Sequence, residues 1–260
     1  MSREERMAGR RALITGAGGG MGYASALRLA SEGAAVAALD IRPEALDTLK
    51  ADFGGLAPGR PFISSVVDVA DYQQVAVAVA SSAEALGGLD TIVICAGIAI
   101  PGETHELPIE HWRRVIDINL NGAFYTLRYA LPHLLAAGGG SVVTVGSVAS
   151  LVAAGNAPSY DASKGGLLQL TRTVAADYAA AGIRANCILP GPTDTNIRAN
   201  SASISGAARP QNRRPHRISV PLGRMGTVEE IAALIAFLCS AESGFITGAG
   251  IPIDGGWTAI

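Results

Sequence analysis

Tyr160, Lys164 and Ser147 are the residues whose types and spacing suit proton transfer. Tyr160 and Lys164 stand four apart in PSYDASKGGLLQLTRTVAADYAAA, a segment patterned as helix. That spacing puts both side chains on one helix face. A phenol alone shuttles protons poorly: with a pKa of ~10, about one tyrosine in a thousand is ionised at neutral pH. A fixed ammonium beside the ring favours the phenolate and draws its pKa towards the working range of a general acid–base group. Ser147, at the end of the apolar run SVVTVG, adds a hydroxyl on a loop that can double back to the same place. The chain has eighteen arginines and only two lysines, Lys50 and Lys164, so a lysine at this position runs against its own composition. Lysine differs from arginine in being a compact charge with a movable pKa.

The elements around these residues follow from length and pattern. A chain of 260 residues, 49% hydrophobic, with 32 glycines and few aromatics, can bury a sizeable core of closely packed helices and sheet. A net charge of −2 gives no general affinity for nucleic acid or an anionic membrane. Cys95, Cys187 and Cys239 all lie in apolar runs and read as buried thiols of a reducing compartment. The opening MSREERMAGRRALITGAGGG imitates a signal peptide only superficially, and no run approaches the ~18 apolar residues of a membrane span, so a cytoplasmic protein is expected.

Strand-like runs fall at 11–15, 34–40, 61–67, 89–96, 140–146, 183–189 and 248–254, with helix-length segments at about 20–32, 43–52, 70–86, 109–136, 157–181 and 227–240. Nearly continuous apolar strands separated by helices predict a parallel sheet covered on both faces, an α/β doubly wound unit in a single domain over 1–260. The one long stretch without periodicity, 191–222, reads as a lid inserted after the sixth strand.

Thr15-Gly16-Ala17-Gly18-Gly19-Gly20-Met21-Gly22 joins the first strand to the first helix. Glycines there let a backbone approach a pyrophosphate seated on the positive end of the helix. Two spacings fit, Gly16-x-x-x-Gly20-x-Gly22 and Gly16-x-x-Gly19-x-x-Gly22. Asp40 closes the second strand, where a carboxylate accepts from adenosine ribose hydroxyls and repels a 2′-phosphate. Arg42 suits such a phosphate, but the loop carries no basic residue, so NAD is favoured over NADP. Asp68-Val69 ends the third strand, where a carboxylate meets an adenine amino group or serves as a turn.

Together, TGAGGGMG, Asp40, Asp68-Val69, ICAG (94–97), INLNG (118–122), Ser147, Tyr160-x-x-x-Lys164 and PGPTDT (190–195) resemble the short-chain dehydrogenase/reductase family over about residues 10–256. The resemblance implies a Rossmann-type sheet of about seven strands in the order 3-2-1-4-5-6-7, and hydride transfer between a nicotinamide and a secondary alcohol or ketone. By it, Tyr160 is the acid/base, Ser147 binds the substrate oxygen, Lys164 holds the nicotinamide ribose and Asn119 anchors a relay water. Gly16, Gly19, Gly20, Met21, Gly22, Asp40, Ile41, Asp68, Val69, Ala96 and Gly97 would border the dinucleotide, with Pro190, Gly191, Thr193 and Thr195 at the nicotinamide. Asn119 interrupts a long apolar helix pattern, where an amide without partners costs about 1–3 kcal/mol. The family's usual Asn-Asn-Ala-Gly is here Ile94-Cys95-Ala96-Gly97, which removes two amides from the end of the fourth strand. The second glycine spacing belongs to the family's extended branch, with an added C-terminal domain; the sequence after IDGGWTAI offers no room for one, which favours the short branch. A 3-oxoacyl thioester reductase using NADPH is the alternative enzyme reading. A non-catalytic NAD(H) sensor is a third, opposed by the full set of Ser147, Tyr160, Lys164 and Asn119.

Between Thr195 and Val228 there is no acidic residue, yet Arg198, Arg209, Arg213, Arg214, Arg217 and Arg224 are present. Arginines suit carboxylate, phosphate or sulfonate groups, so an anionic substrate tail held by Arg213 and Arg214 is one expectation and a solvated loop the other. Ile98, Ala149, Leu151 and Asn156 are candidates for a mainly apolar substrate pocket. His105-Glu106-Leu107-Pro108-Ile109 starts like a zinc motif but lacks its second histidine, so no metal is expected. The helix at 157–181 is apolar on most sides and reads as buried on both faces, one against the sheet and the other against a second subunit; the family resemblance likewise implies a homodimer or homotetramer built on the two long helices at 109–136 and 157–181.

Overall fold

The strands form because runs of β-branched and small apolar residues can be buried on both faces at once. In the computed structural model, which describes residues 5–153, 155–195 and 220–259, they are β1 (Arg11–Thr15), β2 (Ala35–Asp40), β3 (Phe62–Val66), β4 (Thr91–Ile94), β5 (Gly140–Val145), β6 (Ile183–Pro190) and β7 (Gly250–Ile253). All pair in parallel, in the order β3-β2-β1-β4-β5-β6-β7. The five inner strands are buried almost throughout, whereas the edge strands β3 and β7 are only partly covered.

Alternate residues feed two cores, as the two-residue period of a strand requires. Leu13, Ile92, Val142 and Ala185 face α3 (Tyr72–Leu86), α5 (Gly122–Ala136) and α6 (Pro158–Tyr178). Ile14, Val93, Val143 and Ile188 face α1 (Gly20–Ser31), α2 (Pro43–Leu56) and α7 (Val228–Cys239). The fold is the doubly wound α/β sheet expected from the sequence, in one Rossmann-like domain.

Two elements depart from expectation. The second helix continues to Leu56, because Phe53 is buried and its ring stacks 4.6 Å from that of Phe62. The stretch 109–136 is not one helix: α4 (Ile109–Ile116) passes through a π-helical turn, Asp117–Asn121, before α5. Such single turns cluster at functional sites. Within the chain, α6 buries one stripe, Ser163, Lys164, Leu167, Leu168, Thr171, Val174 and Ala175, against the sheet side and leaves Arg172, Thr173, Ala176 and Asp177 exposed on the other. No helix among the described residues is long and apolar enough to cross a membrane.

Candidate active site

The loops at the carboxyl edge of β1 to β6 border one cleft of about 890 Å³. It opens where β1 has β2 on one side and β4 on the other, the crevice in which open α/β sheets bind ligands.

Its floor is backbone. Gly16 has φ +66°, and a Cβ there would lie 2.7 Å from the Ala96 nitrogen; a Cβ on Gly22 would lie 2.2 Å from the Gly16 carbonyl oxygen. The helix α1 starts at Gly19 with no side-chain cap, which leaves its first N–H groups directed at the cleft. A glycine cradle that any Cβ would fill, on an uncapped helix N-terminus, fits a dinucleotide pyrophosphate. Cys95 N donates to Thr15 O at 3.2 Å, so the junction of β4 with β1 is tied by backbone without the two missing amides. Burial pushes the Cys95 thiol up to about 12, which leaves it protonated beside the cleft.

Asp40 stands at the next position along the edge. Its Oδ2 accepts from Gly18 N at 2.8 Å, and its Oδ1 accepts from Arg42 N at 3.0 Å and Arg42 Nε at 3.1 Å. Three of the carboxylate's about four lone-pair positions are used, leaving one for a ribose hydroxyl. Arg42, whose Nη2 would be 2.9 Å from a Cβ on Gly19, is thus charge-compensated where a 2′-phosphate would need it free. Beyond it, Asp68 is held by Ala70 N at 3.0 Å and by Arg114 Nη2 at 3.0 Å.

The opposite end is made of side chains. Ser147 caps a short 3-10 turn, Val148–Ser150, its Oγ accepting from Ala149 N at 3.1 Å. Ser150 Oγ accepts from Ser147 N at 3.3 Å and donates to Lys164 O at 2.8 Å, which fastens the Ser147 loop to α6. Pro158 in the first turn of α6 sets the start of the helix that carries Tyr160 and Lys164. Ser147 lies close enough to the Tyr160 hydroxyl to favour its ionised form. Lys164 Nζ donates to Val145 O at 2.6 Å and sits 5.7 Å from the centre of the Tyr160 ring.

Here the electrostatics correct the simple expectation. Burial pushes the Tyr160 phenol above its ordinary value; the nearby Ser147 hydroxyl opposes this and the Asp161 charge adds to it. Lys164 is itself brought down to about 8 by burial. An ammonium that is costly to hold in the charged form is a weaker perturber than an exposed one, so desolvation governs both groups.

Asn119 lies in the π turn and is buried, with both amide hydrogens and one oxygen lone pair in use. Oδ1 accepts from Ile98 N at 2.8 Å, while Nδ2 donates to Ile98 O at 2.9 Å and Ser163 Oγ at 3.0 Å. Ser163 in turn donates to Tyr160 O at 2.8 Å. Asn119 therefore braces the cleft wall from behind, and its neighbour Ile118 is the residue on the surface.

Gly16, Gly19, Gly20, Met21, Gly22, Asp40, Ile41, Asp68, Val69, Ala96, Gly97, Ser147, Tyr160, Lys164, Pro190, Gly191, Thr193 and Thr195 all border the cleft, as does Ile98. Ala149 is buried behind Ser147, and the Asn156 side chain is exposed while its carbonyl accepts from Gly102 N at 3.0 Å; neither borders the cleft. Asn156 has φ +55°, a left-handed turn that asparagine tolerates. Arg213 and Arg214 lie outside the described residues, and with them most of the expected lid. Arg114, Cys95, Val145, Met225 and Arg224 also border the cleft and were not singled out as site residues; Ser150, which does not border it, was readable only as the second serine of a Ser-x-x-Ser turn.

A sequence model of the family described as enoyl-(acyl carrier protein) reductase matches residues 16–258. The chain is similar to cis-4-hydroxycyclohexanecarboxylate dehydrogenase of Sinomonas cyclohexanicum, 40% identical over 98% of this chain and 99% of that one. It is similar to cyclohexanol dehydrogenase of Acinetobacter sp. (strain SE19), 38% identical over 95% and 94%. The crystal structure of carveol dehydrogenase from Mycobacterium avium in complex with NAD superposes with a TM-score of 0.87 at 31% identity, covering 98% of this chain and 100% of that one. With the parallel sheet, the glycine cradle and the Ser147–Tyr160–Lys164 cluster in one cleft, the chain belongs to the short-chain dehydrogenase/reductase family.

Proposed function

We propose that the protein is an NAD-dependent oxidoreductase that interconverts a small secondary alcohol and its ketone. One observation carries this: Ser147, Tyr160 and Lys164 meet at one end of a cleft whose other end is the glycine cradle and Asp40. The nicotinamide, when bound, takes up or supplies the hydride. Ser147 Oγ holds the substrate oxygen beside the Tyr160 hydroxyl. In oxidation Tyr160 accepts the alcohol proton; in reduction it donates one to the ketone oxygen. Lys164, with one N–H on Val145 O, offers the others to the nicotinamide ribose. Asn119 keeps Ile98 and the first turn of α6 in register. Asp40 favours NAD over NADP, and this coenzyme preference opposes the 3-oxoacyl thioester reductase reading.

The relatives' names supply a substrate class, alicyclic secondary alcohols, one with a carboxylate. Cyclohexanol and 4-hydroxycyclohexanecarboxylate, each offered with NAD and NADP and followed by nicotinamide absorbance, test the reading. Failure of both alcohols and of the matching ketones with either coenzyme overturns it. The carboxylate would be met by Arg213 and Arg214. A rate on the carboxylate substrate that ignores both Arg213→Ala with Arg214→Ala and added salt removes that part.

Second copies of the chain would pack on α4 and α5, where Ile109, Trp112, Phe124 and Leu135 are exposed, to give a homodimer or homotetramer. A monomer in sedimentation would refute it. Three unpaired cysteines fit the reducing cytoplasm, which cell fractionation checks.

A further inference from the structure

We infer that Arg114 is a positioning residue that makes the cleft selective for adenine, acting through Asp68. The inference rests on the nicotinamide-dinucleotide reading above.

Asp68 and Arg114 both border the cleft, on the side of β2 and β3 away from Ser147 and Tyr160. A dinucleotide whose nicotinamide lies at Tyr160 therefore puts its base here. The Asp68 carboxylate is held at both oxygens, Oδ1 by Ala70 N at 3.0 Å and Oδ2 by Arg114 Nη2 at 3.0 Å. Its own N–H donates to Gln74 Oε1 at 3.1 Å. The next residue is fixed as well, since a Cβ on Gly122 would lie 2.9 Å from Val69. A carboxylate is an acceptor only, and with one donor on each oxygen it keeps a lone pair on each for a ligand.

That arrangement distinguishes bases. Adenine offers a 6-amino donor; hypoxanthine offers a carbonyl at the same position, which a fixed carboxylate repels. Fixing the carboxylate is the role of Arg114. Ala70 comes from the same turn as Asp68 and Gln74 holds only the Asp68 backbone, so Arg114, on α4 and 46 residues away in sequence, ties the carboxylate itself to another element. The pair is not there chiefly for stability: its side chains are 32% and 27% exposed, a setting in which ion pairs contribute little.

The experiment compares kcat/KM for NAD and for nicotinamide hypoxanthine dinucleotide in the wild type, Arg114→Leu, Arg114→Lys, Asp68→Asn and the Asp68→Asn/Arg114→Leu double variant. The wild type should prefer NAD by about tenfold, as expected for one hydrogen bond to a charged acceptor. Arg114→Leu should cut that preference to about threefold or less, with the loss falling on KM for NAD, and Arg114→Lys should restore most of it. In the Asp68→Asn background Arg114→Leu should change the ratio no further, which identifies Asp68 as the intermediary. Equal losses with both dinucleotides, or an unchanged ratio, overturn the role of Arg114 and leave NAD dependence standing. A wild type that turns over neither dinucleotide overturns both.

Discussion

The two ends of the cleft are built from different materials. Beneath the pyrophosphate position the walls are main chain, and their shape follows from residues that have no side chain. Around Tyr160 the walls carry polar side chains from the end of β5 and from α6, braced from behind by Asn119 of the π turn, each needing a partner in a largely buried place. The first kind of site fails when anything is added, the second when anything is taken away or left unpaired.

Tyr160→Phe probes the second end most severely. Removing the hydroxyl should lower kcat by about 10²- to 10⁴-fold, while coenzyme binding by fluorescence is nearly retained. A variant that keeps its rate would erase the distinction between the two ends.

At the first end the matching change is an addition. Gly22→Ala sets a methyl 2.2 Å from the Gly16 carbonyl oxygen, so the loop must shift. We expect about 1–3 kcal/mol of lost stability in denaturant titrations, together with weaker coenzyme binding. A fully stable variant that binds NAD as before would mean the cradle is looser than its contacts indicate.

Asp40→Ser sits between these cases, a side chain serving the main-chain end. It removes the acceptors that Gly18 N and Arg42 Nε have in Asp40, and with them the negative charge that would repel a 2′-phosphate. The ratio of kcat/KM for NAD over NADP should fall by about tenfold or more. Unchanged preference would remove Asp40 from coenzyme selection.

The smallest effect concerns pH and sharpens the side-chain end. Lys164 has a folded pKa of about 8 against an ordinary 10.5. Between those values the unfolded chain still holds a proton that the folded chain has shed, so rising pH favours folding through this group. Below about pH 8 the full penalty of burying the ammonium is present. The wild type should therefore gain melting temperature relative to Lys164→Met from pH 8 to pH 10, and parallel curves would contradict the burial argument. Because Tyr160 lies beside Lys164 and its titration changes with that charge, both proteins are compared in a Tyr160→Phe background, which removes the phenol from the difference.

These materials also explain what could be read from the sequence. Glycines with an obligatory conformation, a carboxylate at a strand end and a Tyr-x-x-x-Lys pair are local signals, and all reach the cleft. The strands were legible because burial on both faces leaves an apolar run. The π turn was not: Asn119 announced a break in the apolar pattern, but the break is settled by the Ile98 backbone, 21 residues away. Arg114 left no trace for the same reason, since its partner Asp68 lies on another element. Ala149 and Asn156 are near Ser147 in sequence, yet the capped turn after Ser147 sends one inward, and the loop tied to Gly102 leaves the other exposed. Sequence proximity gave the neighbourhood and hydrogen bonding gave the direction.

Ser150 joins two parts that a reacting molecule would otherwise push separately. Because one hydroxyl receives from the Ser147 amide and gives to the Lys164 carbonyl, the oxygen-holding loop cannot retreat without dragging the amine-bearing helix along. Guests too bulky at the carbinol carbon are thus met by a stiff jaw instead of a yielding one, and variety among accepted molecules has to come from the far side of the mouth.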